Sequence, residues 1–234
     1  MEIVTANSCR RPEIVVPWRS LADSCGFAAM RYAWSDSCGA GRTSPRRRAE
    51  FRAGRRCAGE ALRLVTGRRL LPRREKAERA PIWPEGTAGA ISHCDGYAVA
   101  VAAYRDRQAC LGIDIERLLD AEEAQAIGLQ VLTEGETQAF GHGADAAFLT
   151  SLAFSGKESL FKALYPMVRE FRDFHAAELV LQGGGGWPLL RLRADWSQRW
   201  PRGRTFDLKF RRGRRFVLTC IAIPPDPEPD GTGR

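Results

Sequence analysis

The 234-residue sequence predicts an α+β fold in two halves, and three observations carry that prediction. A capped helical pattern over 44–65 precedes three segments of strand periodicity at 88–92, 98–104 and 110–116. Helical segments over 120–165 then precede four more strand-like segments, at 175–181, 189–193, 205–210 and 216–223. The order repeats without a repeat of residue identity, which suggests two halves; the expected division is 1–110 and 111–223.

In chain order, apolar pieces at 14–16 and 27–33 read as a strand and a helical turn, interrupted by Ser, Cys and Gly. Ser44-Pro45 then supplies a capping hydroxyl and a proline at the first helical position, and the helix runs to about Val65, before Gly67. Arg48, Arg52, Arg55 and Arg56 share one of its faces, a pattern that is ordinarily a solvated basic face. Residues 67–80 read as a charged linker and 81–86 as an ordered turn. Asp95-Gly96 and a polar turn at 105–108 join the three strands into a meander. Short helices follow between 120 and 150, one starting at 132–134, and a long helix leads from Ala144 through Tyr165 until Pro166 ends or kinks it. The last four segments predict a second antiparallel sheet, with 183–186 as a flexible hairpin loop and 224–234 as a disordered tail rich in proline and aspartate.

Composition narrows the chemistry. No stretch reaches the roughly 18 apolar residues of a membrane span, and the N-terminus lacks a secretory pattern, which predicts a cytoplasmic protein. Seven scattered cysteines without a C-x-x-C pair argue against a disulfide framework and a zinc site. Glycines 183–186 are not followed by a helix bearing Lys-Ser/Thr, so they are not a phosphate loop. A net charge of +8 suits an acidic partner, whether nucleic acid, phosphorylated ligand or protein.

Two stretches carry the chemistry. In Gly112-Ile113-Asp114-Ile115-Glu116 a strand would bury the isoleucines on one face and set both carboxylates on the other. At about 4 Å and an effective dielectric near 20, two such charges repel by roughly 4 kcal/mol, so the pair calls for a cation or a proton. In the helix through 154–163, Ser155, Glu158 and Lys162 share a polar strip while Lys157 sits in the apolar stripe, where its head must reach out or meet an anion. Only four of the 36 basic residues are lysines (76, 157, 162 and 209), and two of them lie in this helix. Three carboxylates, Asp114, Glu116 and Glu158, without a His or Cys cluster suit a hard cation, hence Mg2+ over Zn2+.

The chain resembles the Sfp-type 4'-phosphopantetheinyl transferases, and among them the EntD-like subgroup. The resemblance rests on G-I-D-I-E at 112–116, F-S-x-K-E-x-x-x-K at 154–162, P-x-W-P followed by S-H-C at 81–94, and R-R-A-E-F-x-x-G-R at 47–55. It spans roughly residues 45–165. Many members of the wider family have tryptophan where this chain has Phe154, and the phenylalanine form is similar to the EntD-like subgroup.

The resemblance implies two pseudo-symmetric α/β halves with the active site in the cleft between them. It implies transfer of 4'-phosphopantetheine from coenzyme A to a serine of an acyl or peptidyl carrier protein, with Mg2+ as cofactor and adenosine 3',5'-bisphosphate released. Arg47, Arg48 and Arg55, with Arg79 as a further basic contact, would hold coenzyme A phosphates, as would Ser92 and His93. Asp114, Glu116 and Glu158 would hold the metal, and Lys157 and Lys162 would neutralise phosphate charge. Glu158 would be the base, with Glu116 second and Lys162 completing the catalytic set. The implied setting is siderophore, nonribosomal peptide or polyketide biosynthesis by a monomer that binds neither nucleic acid nor membrane. Two other readings stay open from the residues: an arginine-rich nucleic-acid-binding protein using the helix at 46–56, and a Mg2+-dependent phosphohydrolase.

Overall fold

The computed structural model describes residues 14–15, 24–33, 44–74, 80–182 and 186–226. Arg79, most of the expected glycine loop and the end of the expected tail lie outside these residues.

The first sheet has the order β1-β2-β4-β3, antiparallel throughout, from β1 (Ile14–Val15), β2 (Cys25–Arg31), β3 (Thr87–Cys94) and β4 (Tyr97–Tyr104). The segment expected as a helical turn at 27–33 falls largely in strand β2, which pairs with β4 from Cys25↔Ala103 to Arg31↔Tyr97. Phe27, Ala28 and Met30 are buried on both faces of this strand, so no alternation marks it in the sequence. Asp95 and Gly96 turn β3 into β4 with positive φ at both positions, 42° and 82°, the geometry of a tight hairpin.

Helix α1 (Pro45–Thr66) starts and stops where its sequence says. The Ser44 side chain accepts from the Arg47 amide, and Gly67 closes the helix at φ 69°. Its buried stripe of Ala53, Cys57, Ala58, Ala61 and Leu62 packs on Ala28, Met30, Ala98, Ala100 and Ala102 of β2 and β4.

β5 (Cys110–Arg117) is not the third strand of a meander. It pairs over its whole length with β10 (Phe216–Ile223), from Cys110↔Ile223 to Arg117↔Phe216, and β9 (Lys209–Arg212) completes a second sheet of order β5-β10-β9. Instead of one further sheet there are thus two, the other being β6 (Ala177–Val180), β7 (Leu189–Leu192) and β8 (Thr205–Asp207). The segment 205–210 divides at Leu208, which is fully buried and gives its amide to the Pro188 carbonyl at 2.8 Å.

Helices α2 (Ala121–Val131) and α3 (Glu134–Phe140) both begin with a capping box, on Asp120 and Thr133. The long helix α4 (Ala144–Val168) continues past Pro166, so of the two expectations for that proline, an end or a kink, the end is ruled out. The proline removes only the amide that would bond residue 162, and Arg169 closes the helix in the left-handed region.

The sheets stack face to face. Leu111, Ile113 and Ile115 of β5, with Cys220 of β10, meet Ala88, Ala90, Val99 and Val101 of the first sheet. α1 covers the outer face of one sheet, and Val217 and Ile221 on the outer face of the other share a core with Leu152, Leu160 and Leu164 of α4. In both halves a strand glycine lets the helix approach. A Cβ on Gly26 would stand 2.2 Å from the Ala61 carbonyl oxygen, and one on Gly112 would stand 1.8 Å from that of Ser159. β3 and β5 are edge strands of their sheets, and the polar residues singled out from the sequence lie where these two edges meet α4.

Candidate active site

Asp114 is the centre of the junction. Only 1 % exposed, it accepts from Ser92 of β3 (Oγ to Oδ1, 2.8 Å), from Ser155 of α4 (Oγ to Oδ2, 2.8 Å) and from Lys162 of α4 (Nζ to Oδ1, 2.6 Å). Lys162 also donates to Ser92 Oγ at 3.0 Å. One carboxylate thereby ties both edge strands to the helix, and its burial is supported by a cation and two hydroxyls. Ser155 and Ser159 are held in turn by Thr219 of β10, at 2.9 and 2.7 Å. Gly112 makes this geometry possible, because any side chain there would push α4, with Ser155 and Lys162, off the strand.

Glu116, two residues along β5, is half-buried. Burial first, and the Asp114 charge second, push its carboxyl up to about 7. The Cys94 thiol lies 3.6 Å from its Oε2 and is itself pushed up to about 12 by burial and then by Glu116, so it remains a protonated donor. Glu158 on α4 is raised mainly by burial, with Lys162 pulling it down and Asp114 pushing it up. It opens on a small cleft of about 60 Å³ lined by Phe161, Phe171, Phe174 and Trp196. The three carboxylates thus feel one another around one ammonium, yet among the described residues no three His, Cys, Asp or Glu side chains form a ready-made metal cage. All three donors are oxygens, and a half-buried acid held near 7 beside two others gains from a nearby cation; the residues fit a hard divalent ion that takes carboxylate oxygens and completes its shell elsewhere.

Ser92 and His93 end β3 beside this junction. His93 is exposed on its outer side, while the protein packed behind it holds the imidazole below the usual histidine range, partly offset by the charge of Glu50. Of the arginines at the start of α1, Arg47 is exposed and Arg48 half-buried. Arg46 bonds Glu50 at 2.8 Å and reaches Asp95 at 3.8 Å, and Asp95 in turn lies 3.9 Å from Arg117 of β5. Arg55 points elsewhere, giving Nη1 to the Arg73 carbonyl at 3.5 Å, and burial lowers its guanidinium.

Lys157 is not among the partners of Asp114, although it helps line the cleft beside Glu158. Its ammonium, 4 % exposed as a residue, is held by Glu136 Oε2 at 2.7 Å and the Val131 carbonyl at 2.8 Å. The anion expected for a lysine in an apolar stripe is therefore a buried carboxylate from α3, not a ligand phosphate. Glu136 is anchored by its own capping bond from the Thr133 amide and by the Leu179 amide. Ser155, Cys94 and Glu50 touch or flank the site without having been singled out from the sequence. Ser155 alone left a signal there, one turn before Glu158 on the polar strip.

Against models of known families, residues 40–103 match the 4'-phosphopantetheinyl transferase N-terminal domain and residues 110–220 the 4'-phosphopantetheinyl transferase superfamily. The chain is 33% identical over 186 residues to 4'-phosphopantetheinyl transferase Svp of Streptomyces mobaraensis, covering 78% of this chain and 74% of that one. It is 39% identical over 123 residues to enterobactin synthase component D of Salmonella typhimurium, covering 50% and 48%, so that this match spans about half the relative's length. With 4'-phosphopantetheinyl transferase PptT of Mycobacterium tuberculosis it shares 28% identity over 186 residues, 67% and 76% of the two chains. Among the described residues no helix is long and apolar enough to cross a membrane.

Proposed function

The chain belongs to the 4'-phosphopantetheinyl transferase superfamily, and we propose that it moves 4'-phosphopantetheine from coenzyme A to a serine of an acyl or peptidyl carrier protein. The observation that carries this reading is the junction at Asp114, where Ser92, Ser155 and Lys162 converge beside Glu116 and Glu158. We place the site between an N-terminal half, 1–110, and a C-terminal half, 111–223.

Coenzyme A would lie along this seam, its 3'-phosphate toward Ser92, His93 and the first turn of α1 with Arg47 and Arg48. Arg55 and Lys157 are left outside this set in our reading, which is supported by the bond of Arg55 to the Arg73 carbonyl and by the buried pair of Lys157 with Glu136. The pantetheine arm would follow the aromatic cleft beside Glu158. The carrier serine Oγ attacks the pantetheine-side phosphorus, the bond from that phosphorus to the bridging oxygen breaks, and adenosine 3',5'-bisphosphate leaves. Glu158 takes the serine proton; its raised carboxyl makes it a stronger base than an ordinary glutamate, and Glu116 is second in line. Lys162 stabilises charge on the phosphate oxygens, and Asp114 aims it. Mg2+, held by Glu116, Glu158 and Asp114, would supply further neutralisation of the diphosphate. The resemblance to enterobactin synthase component D favours a siderophore or related secondary-metabolite synthase as the source of the carrier.

Glu158→Gln tests the assignment. It should lower kcat for transfer by about 10²–10⁴-fold with melting temperature retained. A rate within a few-fold of wild type would remove Glu158 from the mechanism.

A further inference from the structure

We infer that the β9–β10 hairpin, with its tip at Arg214 and Arg215, is the surface on which the carrier protein docks. This rests on the transfer reading above and adds to it the face that selects the partner.

Strand register places the hairpin. Glu116 pairs with Val217, which pairs with Arg212, so Arg212 lies two strand spacings, about 10 Å, from the candidate site. The Gly213 amide bonds the Phe216 carbonyl at 2.8 Å, closing a tight turn, and the Arg215 carbonyl accepts from the Leu118 amide just beyond Glu116. Residues 211–215 are all exposed.

Residues 208–217 contain four arginines and a lysine with no acidic residue. Other arginines of this half stand beside acids, Arg191 and Arg193 with Glu178 and Arg199 with Asp226. The hairpin also carries an apolar anchor. The Arg212 guanidinium lies 4.1 Å over the Phe148 ring, Phe148 meets Phe210, and Phe210 meets Trp187, which is 44% exposed. An aromatic patch rimmed by arginine is the composition of a protein interface centre, and its charge calls for an acidic partner.

The test compares Arg214→Glu/Arg215→Glu with a control of equal charge change far along the chain, Arg68→Glu/Arg69→Glu, using an apo peptidyl carrier domain of net negative charge. The hairpin variant should raise KM for the carrier about tenfold or more and flatten its salt dependence, with KM for coenzyme A and melting temperature unchanged. The control should stay within about twofold. Equal effects of the two variants, or an unchanged KM with new aggregation, would mean that the arginines act through net charge or protect a sheet edge, and would overturn the assignment alone. Absence of transfer by the wild-type protein would overturn the transfer reading and this inference with it.

Discussion

Replacing Lys157 by methionine separates a structural from a ligand-binding role for a residue whose motif suggests the latter. The pair with Glu136 has both side chains nearly sealed, at 3% and 2% exposed, and a separation of 2.7 Å. With an effective dielectric near 20, the Coulomb attraction at that distance is about 6 kcal/mol, which the desolvation of two ions largely offsets. Removing one partner is a different matter, because the other charge stays buried, at a cost of about 3–5 kcal/mol. The two deletions are not equivalent. Without Lys157, Glu136 keeps the Thr133 and Leu179 amides, whereas without Glu136, Lys157 keeps only the Val131 carbonyl. Lys157→Met should therefore cost about 3 kcal/mol and Glu136→Leu nearer 5, with the double variant below their sum. Urea titration followed by fluorescence reads this as a midpoint lowered by about 1–2 M for Lys157→Met. The folded fraction should bind coenzyme A as wild type does. Unchanged stability with affinity reduced tenfold would refute the structural role and return Lys157 to the ligand.

Three more outcomes are expected. Gly112→Ala, which drives a methyl into the Ser159 carbonyl, should destabilise by about 2–3 kcal/mol and lower transfer as well, since α4 carries Glu158 and Lys162; calorimetry and steady-state rates check both effects. Asp114→Asn should abolish transfer by weakening the hold on Lys162, which donates to Asp114 at 2.6 Å; steady-state rates check it. Glu116 gives a pH dependence. Its folded carboxyl lies near 7 against an ordinary 4.5, so the native state holds the proton more tightly; stability is full below about 4.5 and is lost as pH rises through 7. Solvent screening keeps the loss below about 3 kcal/mol. Glu116→Gln should flatten that slope in melting temperatures measured from pH 5 to 8, and an unchanged slope would assign it to another group.

The parts of the fold legible in the sequence are those specified by neighbours in the chain. Ser44, Pro45 and Gly67 bracket α1, and β10 coincides with its period-2 segment. What escaped depends on partners far along the chain. β2 is small and apolar on both faces, so it shows no period, and β5 pairs with a strand about a hundred residues later, its only strand neighbour among the described residues. Around the junction, Asp114 and Glu116 were legible as carboxylates side by side on a strand, and Glu158 and Lys162 as polar positions one turn apart on a helix. The partner of Lys157 was not, because Glu136 reads locally as a capping-box residue and only the packing of α3 on α4 reveals its second role. Ser155 was visible as a polar position, but its bond to Asp114 required knowing that α4 crosses β5 at Gly112.

Carrier mass after incubation with coenzyme A, Mg2+ and an apo carrier domain measures the proposed reaction with the fewest intermediaries. One phosphopantetheine should be gained per carrier, only with a divalent ion present, and none with Glu158→Gln. A carrier of unchanged mass beside wild-type protein, with coenzyme A intact or merely hydrolysed, would contradict transfer at the Asp114 junction.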